Sequence, residues 1–166
     1  MHVIVDGYNV MHALPVDREW PGVSFRDRRA YFLGLIQSYA GTRKHKITVV
    51  FDGAKGGDDL GSREMAGSIE VVYSPRGVEA DGIIMRMAES SSRPGEILLV
   101  SSDKSLADYV GSIGASTARA DELLRKLRAG RHEQTGLSEP AADFDRGERG
   151  HGSRARKGRR QNLRLW

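Results

Sequence analysis

The clearest pattern along the chain is a set of short apolar runs that do not alternate with polar residues. Three runs rich in β-branched side chains predict strands over residues 3–5, 47–51 and 97–100, and a weaker run predicts one over residues 69–73. Because both faces of such runs are apolar, these strands are expected to be covered on both sides. A further short strand is expected near residues 115–118.

Apolar residues at helical spacing lie between the strands. They predict helices over residues 24–39, 79–90, 105–113 and 121–127. Strands that alternate with helices are typical of a mostly parallel sheet with right-handed crossovers and helices on both faces. The predicted fold class is therefore α/β.

The length of 166 residues fits one domain with a substantial core. A Gly-rich polar stretch over residues 53–67 predicts a mobile loop after the second strand. From about residue 131 the periodicity is lost and Gly, Arg and Ser dominate. We therefore expect a domain over residues 1–130 and a tail over residues 131–166 that is disordered in isolation.

Charge is unevenly distributed between these two parts. Residues 1–130 hold 17 basic and 17 acidic side chains, whereas residues 131–166 hold 9 and 5. The last 16 residues hold six basic side chains and no acid, a composition suited to nucleic-acid phosphates. The chain has no cysteine, which excludes disulfides and thiolate metal sites. No segment approaches the length of a membrane span, so we expect a soluble, cytoplasmic protein without membrane contact.

Aspartates follow the predicted strands. Asp6, Asp52 and Asp103 come just after apolar runs, and Asp81 begins the helix after the weak strand. Each one alone is equally well explained as a helix N-cap or a turn residue. Because the carboxyl ends of parallel strands meet at one edge of a sheet, four such residues are expected to converge there.

A converging group of carboxylates calls for a positive charge. Two carboxylates about 5 Å apart repel each other by roughly 3 kcal/mol at an effective dielectric of 20. Oxygen ligands without Cys or clustered His favour Mg²⁺ or Mn²⁺, and Mg²⁺ commonly binds together with substrate phosphates. The five histidines show no zinc-binding spacing, and the P-loop, GxGxxG and GxSxG motifs are absent.

Four segments together resemble a known family. "IVDGYNV", "VVFDG", "VEADGIIMRM" and "LLVSSDKSLADYV" are similar to the YacP-like branch of the NYN domain family, which belongs to the PIN-like metal-dependent ribonucleases. The resemblance covers about residues 1–128 and implies a PIN-like three-layer fold. It also implies that Asp6, Asp81 and Asp103 hold Mg²⁺ or Mn²⁺, that Asp52 completes the acidic edge, and that Asn9 orients the attacking water or the scissile phosphate.

Two positions depart from the family pattern. Glu79 replaces a usual threonine and is either displaced from the site or an additional acid. Ser101 also stands where threonine is usual. Asp108 is left open as a marginal site candidate, because an exposed position on its helix is at least as probable from the sequence.

The resulting hypothesis is a metal-dependent endoribonuclease with RNA, and potentially ribosomal particles, as its partners. The alternatives are an RNA- or ribosome-binding module without turnover and, more weakly, a metal-dependent phosphohydrolase. Candidate RNA contacts are aromatic or basic side chains near the site and in the tail: Tyr8, Arg29, Lys55, Arg63, Lys104, Arg154, Arg156, Lys157, Arg159 and Arg160.

Overall fold

A computed structural model of the chain describes residues 1–14, 22–41, 45–53 and 60–135, with side chains up to residue 129. The strands are β1 (His2–Asp6), β2 (Lys46–Phe51), β3 (Ser62–Ala66), β4 (Ile69–Tyr73), β5 (Ile97–Val100) and β6 (Ser116–Ala118). They form one sheet in the order β3-β4-β2-β1-β5-β6, and only the β3–β4 pairing is antiparallel. The predicted α/β class with a mostly parallel sheet is confirmed.

Helices connect the strands. They are α1 (Gly7–His12), α2 (Phe25–Ala40), α3 (Ala80–Glu89), α4 (Lys104–Ser112) and α5 (Ala120–Thr135). Within the described ranges, no helix is long and apolar enough to cross a membrane.

The sheet separates two apolar cores. Val3, Val5 and Phe51 point to one face, where they pack with side chains of α1, α2 and α5. Ile4 and Val50 point to the other face and pack with α3 and α4. Because successive strand residues face opposite sides, these unbroken apolar runs supply both cores at once. The result is the expected three-layer arrangement of helices, sheet and helices.

Two predicted boundaries were wrong. The loop predicted over residues 53–67 contains strand β3 (Ser62–Ala66), which pairs with β4 across a turn at Gly67, where φ is +60°. The second half of that stretch is polar, so its strand forms through pairing with a buried neighbour and not through its own hydrophobicity. Helix α5 continues to Thr135, so the helix predicted over residues 121–127 ends eight residues too early. Residues 136–166 lie outside the described part, and the tail stays a prediction.

Polar side chains cross the sheet on the face that carries α3 and α4. Thr48, fully buried on β2, donates to Glu70 Oε2 at 2.9 Å and contacts His2 Nε2 at 2.8 Å. Because the Thr48 proton goes to the carboxylate, the imidazole Nε2–H is the donor to Thr48. Lys46 and Arg63 lie 3.4 and 3.0 Å from the same carboxylate. We refer to these five residues as the cross-sheet polar network.

Candidate active site

Acidic side chains gather at the carboxyl ends of the central strands. Asp6 ends β1, Asp52 directly follows β2, Asp103 precedes α4 and Asp81 lies in the first turn of α3. Here a cavity of about 300 Å³ is lined by Asp6, Tyr8, Asp52, Glu79, Ala80 and Asp81. We call Asp6, Asp52, Glu79, Asp81 and Asp103 the acidic rim.

Hydrogen bonds fix both oxygens of the Asp6 carboxylate. Oδ1 accepts from the Asn9 backbone N–H at 3.3 Å, which caps α1, and Oδ2 accepts from the Ser101 hydroxyl at 2.9 Å. The Ser101 oxygen in turn accepts from the Asp103 backbone N–H at 3.1 Å. Asp103 itself caps α4 by accepting from the Leu106 N–H at 2.9 Å. Ser101, buried between the two acids, therefore links the carboxylate of Asp6 to the backbone of Asp103.

The orientation of the Asn9 side chain follows from one contact. Its Oδ1 accepts a hydrogen bond of 2.7 Å from the Ser102 backbone N–H. A backbone N–H can only donate, so the atom that it contacts must be the carbonyl oxygen of the amide. The chemical group that Asn9 offers to a ligand is therefore the Nδ2 amide, a hydrogen-bond donor.

Burial and mutual repulsion act together on these acids. The pKa of Asp6 is raised mainly by burial and further by Asp81 and Asp103, while the Ser101 hydroxyl and the Asn9 N–H oppose the rise. The pKa of Asp81 is raised by burial and then by the charges of Asp103, Glu79 and Asp52. Shifts in this direction are expected where carboxylates converge without enough positive charge.

The structure gives the positions of Glu79 and Asp108, whose place relative to the site the sequence did not decide. Glu79 lines the cavity and raises the pKa of Asp81, so it is an additional acid of the rim. Asp108 instead pairs with Lys104, and both side chains are largely exposed on α4. Asp108 does not line the acidic cavity.

The donor chemistry of the rim suits a hard cation. No three His, Cys, Asp or Glu side chains in the described part of the chain are placed to hold one ion together. Asp6, Asp81 and Asp103 are close enough to shift one another's pKa, yet they do not form such a group.

Comparison with known proteins gives the family. The YacP-like NYN domain matches residues 3–155, nearly the whole chain. The chain belongs to the YacP-like NYN domain family. NYN domains are generally nucleases. The chain is also 27% identical to the YacP protein of Bacillus subtilis (strain 168) over 128 residues, which cover 75% of this chain and 74% of that protein.

Solved structures agree with this assignment at the level of the fold. A crystal structure of a mutant of Rae1 (YacP) from Bacillus subtilis matches with a TM-score of 0.66 at 22% identity, covering 86% of this chain and 87% of that chain. A second Rae1 (YacP) structure matches with a TM-score of 0.65 at 23% identity, covering 81% and 77%. The PIN-like fold expected for this NYN domain is confirmed.

The predicted RNA contacts of the NYN domain occupy different environments. The Tyr8 ring packs in the core, with its centroid 4.9 Å from Phe51 and 5.2 Å from Phe25, so only part of this residue reaches the cavity. Arg63 lies on β3 and not in a loop, and it pairs with Glu70. Lys104 pairs with Asp108. Lys55 and the tail residues Arg154, Arg156, Lys157, Arg159 and Arg160 lie outside the described residues.

The supporting roles of two serines at the site were not predicted from the sequence. Ser101 connects Asp6 and Asp103, and its only signal is its place between a buried strand and an aspartate. Ser74 is fully buried, accepts from the Gly53 N–H at 2.9 Å and donates to the Val78 carbonyl. A Cβ on Gly53 would lie 1.7 Å from the Ser74 carbonyl oxygen, so only glycine fits there. This contact joins the segment after Asp52 to the loop that leads to Glu79.

Proposed function

We propose that this NYN domain is a metal-dependent endoribonuclease whose active site is the acidic rim. The observation that carries the proposal is the convergence of Asp6, Asp52, Glu79 and Asp81 on one cavity at the strand ends, with Asp103 beside them. Burial and the neighbouring carboxylates raise the pKa values of Asp6 and Asp81, so added positive charge at the cavity would stabilise their ionised forms. A divalent cation bound with an RNA phosphate would supply that charge.

Mg²⁺ or Mn²⁺ fits these ligands better than zinc, because the rim offers carboxylate oxygens alone. We propose that one or two of Asp6, Asp81 and Asp103 bind the ion directly. Mg²⁺ usually keeps several waters and uses one or two carboxylates plus substrate phosphates, so its binding does not require three carboxylates placed around one ion. When bound, such an ion stabilises negative charge on the phosphate and lowers the pKa of an attacking water.

The protein's own groups would position the substrate. The Nδ2 amide of Asn9 is fixed by the bond between its Oδ1 and Ser102, and it can donate to a non-bridging oxygen of the scissile phosphate. Ser101 holds the Asp6 carboxylate in one orientation and favours its ionised form. Asp52 and Glu79 line the same cavity, where they add negative charge that attracts the cation.

We propose that the domain cleaves RNA internally, because the rim extends across the carboxyl ends of the neighbouring strands β2, β1 and β5. An RNA strand without a free end can lie across this row of strand ends. We further propose that the basic residues of the last 16 positions add affinity for RNA or ribosomal particles in the cytoplasm.

Cleavage of a circular single-stranded RNA by the purified chain tests this function. We expect linear product with Mg²⁺ or Mn²⁺ and none with EDTA, because a circle offers no end to an exonuclease. Asp103→Asn should abolish the activity, whereas the matched control Asp108→Asn, an exposed acid on the same helix, should retain it. Binding without cleavage would favour the binding-module alternative, and hydrolysis of small phosphoesters alone would favour the phosphohydrolase.

A further inference from the structure

Arg29 of α2 is held by aromatic side chains next to the acidic rim. Its guanidinium carbon lies 5.4 Å from the centroid of the Tyr73 ring, the last residue of β4. Tyr73 in turn stacks on Phe51 with centroids 5.5 Å apart and an interplanar angle of 19°. A cation over a tyrosine face is attracted by the ring electrons, and the buried stack beneath Tyr73 fixes the ring.

The same guanidinium is close to the cavity. Burial raises the pKa of the Tyr8 hydroxyl, a hydrogen bond from Arg29 and the charge of Arg29 lower it, and the charge of Asp52 raises it. Tyr8 and Asp52 both line the acidic cavity. Arg29 therefore lies at the Asp52 end of the rim.

Among the described residues, no carboxylate lies within ion-pair distance of this cation. Arg63, Arg93 and Arg119 form ion pairs with Glu70, Glu96 and Asp121, but Arg29 forms none within the described ranges. A guanidinium that stacks on a ring keeps its five N–H donors at its edge, so donors remain beside the one that contacts Tyr8, and two of them can match two oxygens of a phosphate. A half-buried arginine held in this way has the chemistry of an anion anchor.

We infer that Arg29 binds an RNA phosphate that flanks the scissile one, on the Asp52 side of the rim. This inference rests on the proposed function and narrows its substrate class. A contact beyond the scissile phosphate gives affinity only to an oligonucleotide strand, and it leaves mononucleotides and small phosphoesters weakly bound.

The test compares Arg29→Met with Arg29→Lys and with the matched control Arg93→Met. Methionine keeps the apolar stem against the aromatic cluster but removes the charge, and lysine keeps the charge but loses the planar fork. Arg93 is an exposed arginine just before β5. It lies at the amino ends of the strands, whereas the rim lies at their carboxyl ends. The probe is a fluorescent 12-nucleotide single-stranded oligouridylate, and its Kd is measured by anisotropy in EDTA at several salt concentrations.

We expect Arg29→Met to weaken binding by about tenfold and to reduce the slope of log K against log salt by about 0.7. Arg29→Lys should show an intermediate Kd, and Arg93→Met should match the wild type. Equal Kd and salt slope for Arg29→Met and Arg93→Met would overturn the anchor, as would a wild-type chain that does not bind the oligonucleotide.

A parallel cleavage assay in Mg²⁺ separates this inference from the proposed function. If the wild type binds but does not cleave, the nuclease proposal fails, while the Arg29 anchor is judged on the binding data alone. If the wild type cleaves and Arg29→Met has the same KM, only the anchor fails. A raised KM with an unchanged kcat supports a flanking contact, because such a contact is made equally in the ground state and the transition state.

Discussion

The two polar clusters at the two ends of β1 shift the pKa values of their carboxylates in opposite directions. His2 and Asp6 lie on the same face of one strand, four residues apart, and each belongs to a polar cluster on the sheet. In the cross-sheet polar network the Glu70 carboxylate is surrounded by donors. Burial alone would raise its pKa, but Thr48, Lys46 and Arg63 together hold it below its usual value. In the acidic rim the pKa values of Asp6 and Asp81 are raised instead.

The difference separates a cluster that stabilises the fold from the cluster that we propose as the active site. A carboxylate with a lowered pKa contributes stability at neutral pH, whereas ionised acids with raised pKa values oppose folding there. In the cross-sheet polar network, donors of the protein itself stabilise the Glu70 carboxylate. In the acidic rim, a positively charged ligand could stabilise the carboxylates in the same way. Perturbed carboxylates of the second kind are typical of functional sites.

The largest effect should come from the rim. Asp103→Asn should reduce RNA cleavage at least about 100-fold, or about 3 kcal/mol in transition-state free energy. Asparagine keeps an oxygen that can accept from the Leu106 N–H, so the cap of α4 and the fold should survive. The rate is measured on the circular RNA, with thermal unfolding as a check on folding. Unchanged cleavage would remove Asp103 from the site.

Loss of the network should act on stability and not on cleavage. Glu70→Ala removes the acceptor of the buried Thr48 hydroxyl and the partner of Lys46 and Arg63, and should cost about 2 kcal/mol of unfolding free energy. Urea unfolding measures the loss, and Glu64→Ala, an exposed acid on β3, is the control. A large loss of activity in folded Glu70→Ala would show that the two clusters are coupled.

Ser101→Ala tests the link within the rim. We expect cleavage to fall about tenfold, in the range for a positioning group. Because the Ser101 hydroxyl lowers the pKa of Asp6, its removal should move the acidic limb of the pH–rate profile to higher pH. Ser105→Ala, at an exposed position on α4, should leave both the rate and the profile unchanged. A lower rate with an unshifted profile would assign Ser101 a purely structural role.

The smallest expected effect is on folding stability, whose pH dependence should have opposite signs for a rim variant and a network variant. Asp81 has a raised pKa, so its ionisation costs stability as pH rises through its folded pKa, and Asp81→Asn should be more stable than wild type at pH 7 by less than about 1 kcal/mol. That gain should vanish below pH 3.8, the ordinary pKa of an aspartate.

Glu70→Gln should behave in the opposite way. The lowered pKa of Glu70 contributes stability that is complete above pH 4.5 and is lost as pH falls through its folded pKa. The variant should therefore be less stable at pH 7, with the difference disappearing in acid. Urea unfolding of both variants across this pH range gives the two curves, and curves of the same sign would contradict the contrast between the clusters.

Much of the central sheet was predictable because its strands are buried on both faces. The runs that form β1, β2 and β5 are continuous and apolar, and an aspartate at the end of each run marks the rim. Strand β3 was not predictable, since its side chains are mostly exposed and its pairing with β4 is a tertiary effect. Likewise, Arg63 was assigned to a loop because the strand that contains it was missed.

The position of the site could be predicted from the sequence more easily than the full set of residues that form it. Glu79 follows a loop whose path depends on the buried contact between Ser74 and Gly53, which no local pattern reveals. The link through Ser101 joins residues 95 positions apart in the chain. The side-chain orientation of Asn9 depends on Ser102, which is 93 positions away. Such distant hydrogen bonds leave no periodic signal.

The position of β1 between β2 and β5 has a consequence for the synthesis of the protein. Its first residue pairs with Lys46 on one side and Ile97 on the other, so the strand has both neighbours only after about a hundred residues have been translated. Pairings of this separation form slowly, because a long loop must close before its contacts are gained. The Asp6–Ser101 bond needs the same late segment. A ribosome-bound nascent chain therefore cannot assemble the rim until β5 and the start of α4 have emerged, so the acidic cluster forms only after more than a hundred residues have been synthesised.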